Sequence, residues 1–187
     1  MASVVDICNI AMHRLGLDDI ASLTEGTQKS RLCASTYPLK RELMLQENVW
    51  TFARKRVVLP PRSDSPPFVT DFSFWFDLPA DYIRMVETEM KSITYLIEGR
   101  QILFGQNTLN IIYIQDITDP NAMSALFREA LGLRIASELC AFLTGSLSIK
   151  GDIDREYMGV VARGATADAQ SNGEGIPPDD DWILVRC

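Results

Sequence analysis

The sequence lacks most of the residue patterns on which catalytic sites depend. Its one histidine, His13, stands five residues after Cys8, a spacing that on a helix directs the two side chains apart. The chain has no His-Glu-x-x-His, no Gly-x-Ser-x-Gly, no glycine-rich phosphate loop and no Cys-x-x-Cys pair. We interpret His13 as a helix-surface or interface residue. The sequence gives no support to an enzyme, and we predict a protein without catalytic activity, cofactor or metal.

Two groups of acids have the oxygen ligands that a hard cation prefers: Asp152 with Asp154, and the run Asp179–Asp181. Neither group has the glycine turn and the bidentate glutamate of a calcium-binding loop. We therefore interpret both groups as solvated acids.

Positive charge is scarce, because 18 Lys and Arg stand against 25 Asp and Glu and leave a net charge of −7. A general nucleic-acid binder needs an excess of cations, so this class is disfavoured. No apolar run approaches the roughly 20 residues that span a bilayer. The first residues have no basic segment followed by a clean apolar one, so we expect no signal peptide. The four cysteines are scattered, which predicts free thiols in a reducing compartment.

Apolar residues at helical spacing predict helices in both halves of the chain. The predicted spans are 3–16, 27–49, 119–144 and 147–169. Pro38 lies inside the second span, where it removes a hydrogen bond, so we expect a kink there or two helical pieces.

Local signals mark where several of these helices begin and end. Ser3 and Asp6 have the spacing of a capping box, and Gly16 and Gly145 are natural stops. Asp119 followed by proline predicts the start of the third helix.

The fourth helix has a predicted inward face and several small residues. The inward residues are predicted to be Ile149, Ile153, Tyr157, Val160 and Val161. Gly151, Gly159 and Gly164 are unfavourable in a helix, which indicates close approach by another backbone.

Residues 50–117 change from helical spacing to alternation of apolar and polar residues and predict a small, mostly antiparallel β unit. Glu98-Gly99-Arg100 separates two of its strand-like runs and predicts a hairpin with positive φ at the glycine. The segment Pro60–Pro67 predicts a proline-rich surface loop. The aromatic residues of the β unit are expected to fill a core rather than to stack on bases. They are Trp50, Phe52, Phe74, Trp75 and Phe76.

The fold class that follows is α+β: a four-helix bundle with an inserted, mostly antiparallel β domain and an extended C-terminal arm. Residues 1–49 and 118–170 form the bundle, 50–117 the β domain and 171–187 the arm. Amphipathic helices must bury their apolar faces, and packing all four together is the simplest way to do so.

Two segments are candidate protein contacts. Arg54-Lys55-Arg56 has the charge to bind phosphate or an acidic partner, and a solvated strand end is the alternative. The arm ends in Asp-Trp-Ile-Leu-Val-Arg after a polar linker, and Trp and Arg are frequent binding hot spots. The predicted interface residues are Asp180, Trp182, Ile183, Leu184, Val185 and Arg186. They dock on another chain, or the apolar residues fold back as an edge strand on their own β unit; both alternatives stay open.

Several short stretches form an ordered set that spans nearly the whole chain. They are Asp6-Ile7-Cys8-Asn9-Ile10-Ala11-Met12-His13-Arg14-Leu15-Gly16, Cys33-x-x-x-Tyr37-x-x-x-Arg41, Trp50-Thr51-Phe52-Ala53, Leu78-Pro79-Ala80-Asp81-Tyr82, Asn110-Ile111-Ile112-Tyr113, Phe127-x-x-Ala130-Leu131 and Asp180-x-Trp182-x-x-x-Arg186. Together they resemble one family, the head–tail adaptor (connector) proteins of tailed bacteriophages, in its podovirus tail tubular protein A branch. Pro38 and the loop Pro60–Pro67 depart from the pattern.

The resemblance implies a structural protein of the virion at the head–tail junction, assembled in the host bacterial cytoplasm. Its partners are expected to be the portal protein, tail or nozzle proteins, and copies of itself in a ring of twelve. DNA only passes through the channel that the ring lines, and no membrane is involved. The rival interpretations are a host-type helix-bundle protein-binding module without catalysis and, less well supported, an enzyme with a site around Asp81, Tyr82 and Glu87.

Overall fold

The computed structural model describes residues 1–64, 72–88 and 94–171, and in this part the chain is α+β. The helices are α1 (Val4–Arg14), α2 (Gln28–Glu47), α3 (Ala125–Thr144) and α4 (Leu147–Ser171). The strands are β1 (Arg54–Leu59), β2 (Phe74–Asp77), β3 (Tyr82–Thr88), β4 (Leu96–Glu98), β5 (Gln101–Phe104) and β6 (Leu109–Gln115). Short 3-10 turns cover Thr51–Ala53 and Pro120–Ala122. No helix in these ranges is both long and apolar enough to cross a membrane.

The predicted helix ends at α1 and α3 are confirmed. Ser3 and Asp6 form a capping box at the start of α1, in which each side chain bonds to the backbone N–H of the other residue. Gly16, with φ of 68°, follows α1, and Gly145, with φ of 67°, ends α3. Glycine adopts this left-handed conformation at little cost, which explains why both helices stop there.

One prediction about helix boundaries is wrong, and one of two alternatives at Pro38 is excluded. The third helix begins at Ala125 with Ser124 as its cap, because Asp119 caps only the 3-10 turn that comes before it. The alternative of two helical pieces at Pro38 is wrong, since one helix runs through the proline, and the kink stays a prediction. Pro38 and Ala34, whose carbonyl loses its usual donor, are both exposed, so water is available to that carbonyl.

Helix α3 lies at the centre of the helical part and packs against α1, α2 and α4. Its residues from Phe127 to Cys140 are mostly buried. Gly132 lets α1 come close, because a Cβ at this position would lie 2.6 Å from Cγ2 of Ile10 and 3.2 Å from the carbonyl oxygen of Ile7. No pattern in the sequence singled out this glycine.

The predicted inward face of α4 is confirmed for Ile153, Tyr157 and Val160, which are buried. It is wrong for Ile149, whose exposed fraction is 37%. Ile149 lies in the first turn of α4, close to the end of its partner helix α3, and so finds less cover. Of the three α4 glycines, only Gly164 has a close neighbour, because a Cβ at this position would lie 2.9 Å from the ring of Trp50.

The predicted strand runs are confirmed as two three-stranded antiparallel sheets, with strand orders β1-β6-β3 and β2-β5-β4. The β4–β5 hairpin is also confirmed: Glu98 pairs with Gln101, and Gly99 has φ of 59°. A second apolar cluster draws residues from both sheets, which places them face to face. Its buried members are Leu59, Phe76, Leu78, Ile102, Phe104, Leu109, Ile111 and Tyr113.

The first sheet also contacts the helices. Ile114 is fully buried in the helical core, and Ile83 and Val86 are partly buried against it. The sheet β1-β6-β3 therefore lies between the second sheet and the helices. The division of the chain into a bundle, an inserted domain and an arm stays a prediction.

Candidate functional site

The predicted interface residues of the arm lie outside the described residues. These are Asp180, Trp182, Ile183, Leu184, Val185 and Arg186, together with the acidic run Asp179–Asp181. Residues 65–67 of the proline-rich loop also lie outside. The root of the arm is described, because α4 extends to Ser171.

The cations Arg54, Lys55 and Arg56 open strand β1, and the alternation of a strand divides them between two faces. Lys55 shares its face with Val57 and Leu59, which pack on the cluster between the sheets. Arg54 and Arg56 lie on the opposite face, and Arg56 is exposed. The three cations are therefore divided between the two faces of the strand, and their role as a contact patch stays a prediction.

Lys55 has a specific partner in Asp81, which precedes β3. Its Nζ lies 2.8 Å from Oδ2 of Asp81, and the hydroxyl of Tyr113 donates to Oδ1 of the same carboxylate at 2.8 Å. The ring of Tyr113 stacks on Tyr82 with centroids 5.8 Å apart. These contacts join strands β1, β3 and β6 at one edge of the first sheet.

The partners of Asp81 control its protonation. Burial alone would raise the pKa of the Asp81 carboxyl, but the hydrogen bonds from Lys55 and Tyr113 outweigh it and hold this pKa below its ordinary value of 3.8. Burial, followed by the hydrogen bond to Asp81, raises the pKa of Tyr113. Asp81 is therefore a charged structural acid, and no group here resembles a general base with a shifted pKa.

We expect the contribution of Asp81 to depend on pH. Because its folded pKa is lowered, the stabilisation is complete above the ordinary pKa of 3.8 and is lost as the pH falls through the lower folded value. Asp81→Asn should lower the free energy of unfolding by roughly 1 kcal/mol at about pH 7, since the carboxylate is partly exposed, and by much less at about pH 2.5. Urea unfolding at both pH values measures this, with the exposed Asp18→Asn as control. An equal loss at both values would contradict the argument.

A groove of about 480 Å³ lies over the first sheet next to Arg56. Arg56, Val58 and Ile112 line it together with Glu87. The exposed fraction of Val58 is 63%, which is high for a strand valine. This part of the sheet is therefore largely apolar and accessible, with one cation and one acid at the groove.

The root of the arm is fixed against the junction between α2 and β1. Gly164 of α4 lies against the ring of Trp50, and Oδ2 of Asp168 accepts a hydrogen bond from the backbone N–H of Thr51 at 3.0 Å. Trp50 is 2% exposed, its Nε1 donates to the carbonyl oxygen of Met44 at 3.0 Å, and its ring meets Phe127 edge-on. The described part of the chain therefore ends, at residue 171, close to the start of β1.

One face of α2, formed by the resemblance residues Cys33, Tyr37 and Arg41, also contacts the first sheet. Cys33 and Tyr37 are buried, and one turn later NH2 of Arg41 binds both carboxylate oxygens of Asp116 at 2.7 and 2.9 Å. Asp116 directly follows β6. This face therefore connects the helices to the last strand rather than forming a pocket.

The described part of the chain holds one serine–lysine constellation that sequence reasoning missed. Lys150 donates to Oγ of Ser137 at 2.6 Å, and this hydroxyl donates to Oδ1 of Asp154 at 2.5 Å. Lys150 also donates to the carbonyl oxygen of Ser137, as an ammonium does. The serine hydroxyl bonds to Asp154 of α4, so the group joins α3 to α4. No spacing in the sequence signals this contact.

The other candidate ligands have structural partners. Asp152 pairs with Arg155, and His13 pairs with Asp19 at 2.5 Å in an exposed position. Within residues 1–64, 72–88 and 94–171, no three His, Cys, Asp or Glu side chains gather as a metal site would require. Hydrogen bonding to Cys33, together with burial, raises the pKa of Cys8, which keeps this thiol protonated.

The described residues therefore form framework contacts and an accessible groove at Arg56 and Val58 of β1, and the root of the arm lies near the start of the same strand. In comparison with known proteins, no family model matches the chain and no curated protein matches it.

Proposed function

We propose that this protein is a structural head–tail adaptor of a tailed bacteriophage, which forms a ring beneath the portal, joins the capsid to the tail and lines the DNA channel. The observation that supports it most is where the residues of the resemblance lie. Several of them make framework contacts: Trp50 packs edge-on against Phe127 in the helical core, and Arg41 binds Asp116, which follows β6. A framework with such contacts serves to hold and position surfaces rather than to catalyse.

In this proposal the four helices form one bundle, with α3 as its centre, and residues 50–117 form a β domain inserted into it. The contacts of α3 with α1, α2 and α4 support the bundle. The arm, residues 171–187, supplies the contact to the portal or to a neighbouring subunit. Many such arms act together in a ring of twelve, so a modest single contact gives a stable joint.

The net charge of −7 suits a channel wall, because carboxylates that face the lumen repel passing DNA rather than bind it. The partners are the portal protein, tail or nozzle proteins and further copies of this chain, in the virion. The alternative is a host-type helix-bundle binding module without catalysis. Such a module would have no affinity for portal-bearing capsids.

Deleting residues 176–187 should leave the chain able to fold and abolish co-sedimentation with portal-bearing capsids. Trp182→Ala should weaken that binding at least tenfold, because a buried tryptophan is a typical hot spot. Ile176→Ala lies in the same tail outside the predicted interface and serves as the matched control. Normal co-sedimentation of the truncated chain would contradict the role of the arm, and its absence for the full chain would contradict the adaptor.

A further inference from the structure

Strand β1 is an edge strand in the described part of the chain, where β6 is its one strand neighbour. In an antiparallel pair, every second residue directs its N–H and C=O away from the partner, so β1 offers a row of hydrogen-bonding groups on its other side. The side chains along this edge are accessible, with Arg56 and Val58 exposed. Such an edge is a template for one more strand.

The residues of β1 have a counterpart near the end of the sequence. Strand β1 reads Arg-Lys-Arg-Val-Val-Leu, and residues 179–184 read Asp-Asp-Asp-Trp-Ile-Leu. Aligned in the same direction, the three acids stand beside the three cations, of which Lys55 already binds Asp81, and three apolar residues stand beside three aliphatic ones. The reverse direction would place the aspartates against Val57–Leu59, so the complementarity selects a parallel arrangement.

The position of the arm root agrees with this direction. Helix α4 is held at Trp50 and Thr51, only three residues before β1 begins at Arg54. Between α4 and the acidic run lie residues 172–178, a length that spans at most about 25 Å when extended. A chain that leaves this point reaches the first residue of β1 and then runs along the strand in its own direction.

We propose that in the free subunit residues 179–184 pair with β1 of the same chain as a parallel edge strand. Alternation then places Trp182 and Leu184 on the face of Val57 and Leu59, where they extend the apolar cluster between the sheets. Asp181 comes next to Arg56 on the opposite face. The pairing covers the edge and shelters the apolar tail, and it does not depend on the adaptor function.

A disulfide across the proposed pair tests the register. In a Cys187→Ser background, Val58→Cys with Ile183→Cys places two thiols opposite each other, whereas Arg54→Cys with Ile183→Cys separates them by about 13 Å along the strand. Under mild oxidation of the full chain, the first pair should form an intramolecular bond at least tenfold faster than the second. Peptide mapping separates this bond from any bond among the buried Cys8, Cys33 and Cys140.

Three outcomes would overturn the proposal. Equal rates for the two pairs would show that no register exists, and a lack of bonding in the first pair would show that the segment lies elsewhere. Covalent dimers without the intramolecular bond would show that the edge belongs to a second copy. All three readouts use purified protein alone, so they are independent of capsid binding.

Charge reversal provides a second test in the same disulfide variant. Arg56→Glu should slow bond formation about threefold, because it places like charges opposite each other, and adding Asp181→Lys should restore the rate. Arg62→Glu, on a cation that lies beyond the end of β1, is the matched control and should leave the rate unchanged. A loss without restoration by Asp181→Lys would contradict the proposed register.

Discussion

Replacing Trp50 with alanine is expected to lower the free energy of unfolding by about 3–5 kcal/mol. The side chain is 2% exposed and lies where α2 ends, packed edge-on against Phe127 with ring centroids 5.0 Å apart. Its Nε1–H bonds to the carbonyl oxygen of Met44, which would lose this partner. Alanine would leave a cavity between α2, α3 and the glycine surface of α4.

Urea unfolding followed by circular dichroism measures this loss. Phe142→Ala is the control, because the exposed fraction of Phe142 is 72% and its removal should change stability by less than about 0.5 kcal/mol. Trp50→Phe keeps most of the apolar volume and loses only the hydrogen bond, so it should fall between the two. A loss below about 1.5 kcal/mol for Trp50→Ala would contradict the central position of this residue.

Gly132→Ala is expected to lower stability by about 1–3 kcal/mol, although alanine favours helices more than glycine does. The new Cβ would lie 2.6 Å from Ile10 and 3.2 Å from the carbonyl oxygen of Ile7, so α1 and α3 would have to separate. Gly132→Val should cost more than Gly132→Ala, because two further carbons enter the same contact.

The matched controls are Gly151→Ala and Gly159→Ala in α4, where a Cβ meets nothing within 4 Å among the described atoms. These two substitutions should raise stability by up to about 1 kcal/mol, because helix propensity acts there without a clash. If Gly132→Ala lowers stability and the two α4 substitutions raise it in the same assay, the effect of close packing is separated from that of helix propensity. If Gly132→Ala were as stable as the controls, the close approach of α1 to α3 would be wrong.

Local signals carried most of what the sequence could predict. The capping box at Ser3, the stops at Gly16 and Gly145 and the hairpin at Gly99 each depend on residues a few positions apart, and all four are confirmed. The start of α3 was missed because Asp119 has its own turn to cap. Asp119 does act as a helix cap, as predicted, but it caps the 3-10 turn and not α3.

Contacts between distant residues were outside the reach of the sequence. Lys55 and Asp81 are 26 positions apart, and the residues around each of them do not indicate that the two side chains are in contact. The sequence therefore held no sign that Lys55 binds Asp81 while Arg54 and Arg56 lie on the opposite face of the strand. Gly132 was missed for the same reason, since its importance lies in the side chain of Ile10 on another helix.

The pairing of the first strand with the last has a consequence for how such a chain diversifies. Arg54 stands opposite Ile114, so the polypeptide enters and leaves the sheets at neighbouring points, about 5 Å apart. A segment with adjacent ends can be grafted, lengthened or exchanged without a rearrangement of the helices at its borders. Any replacement must still bring apolar side chains equivalent to Ile83, Val86 and Ile114, because these complete the helical core.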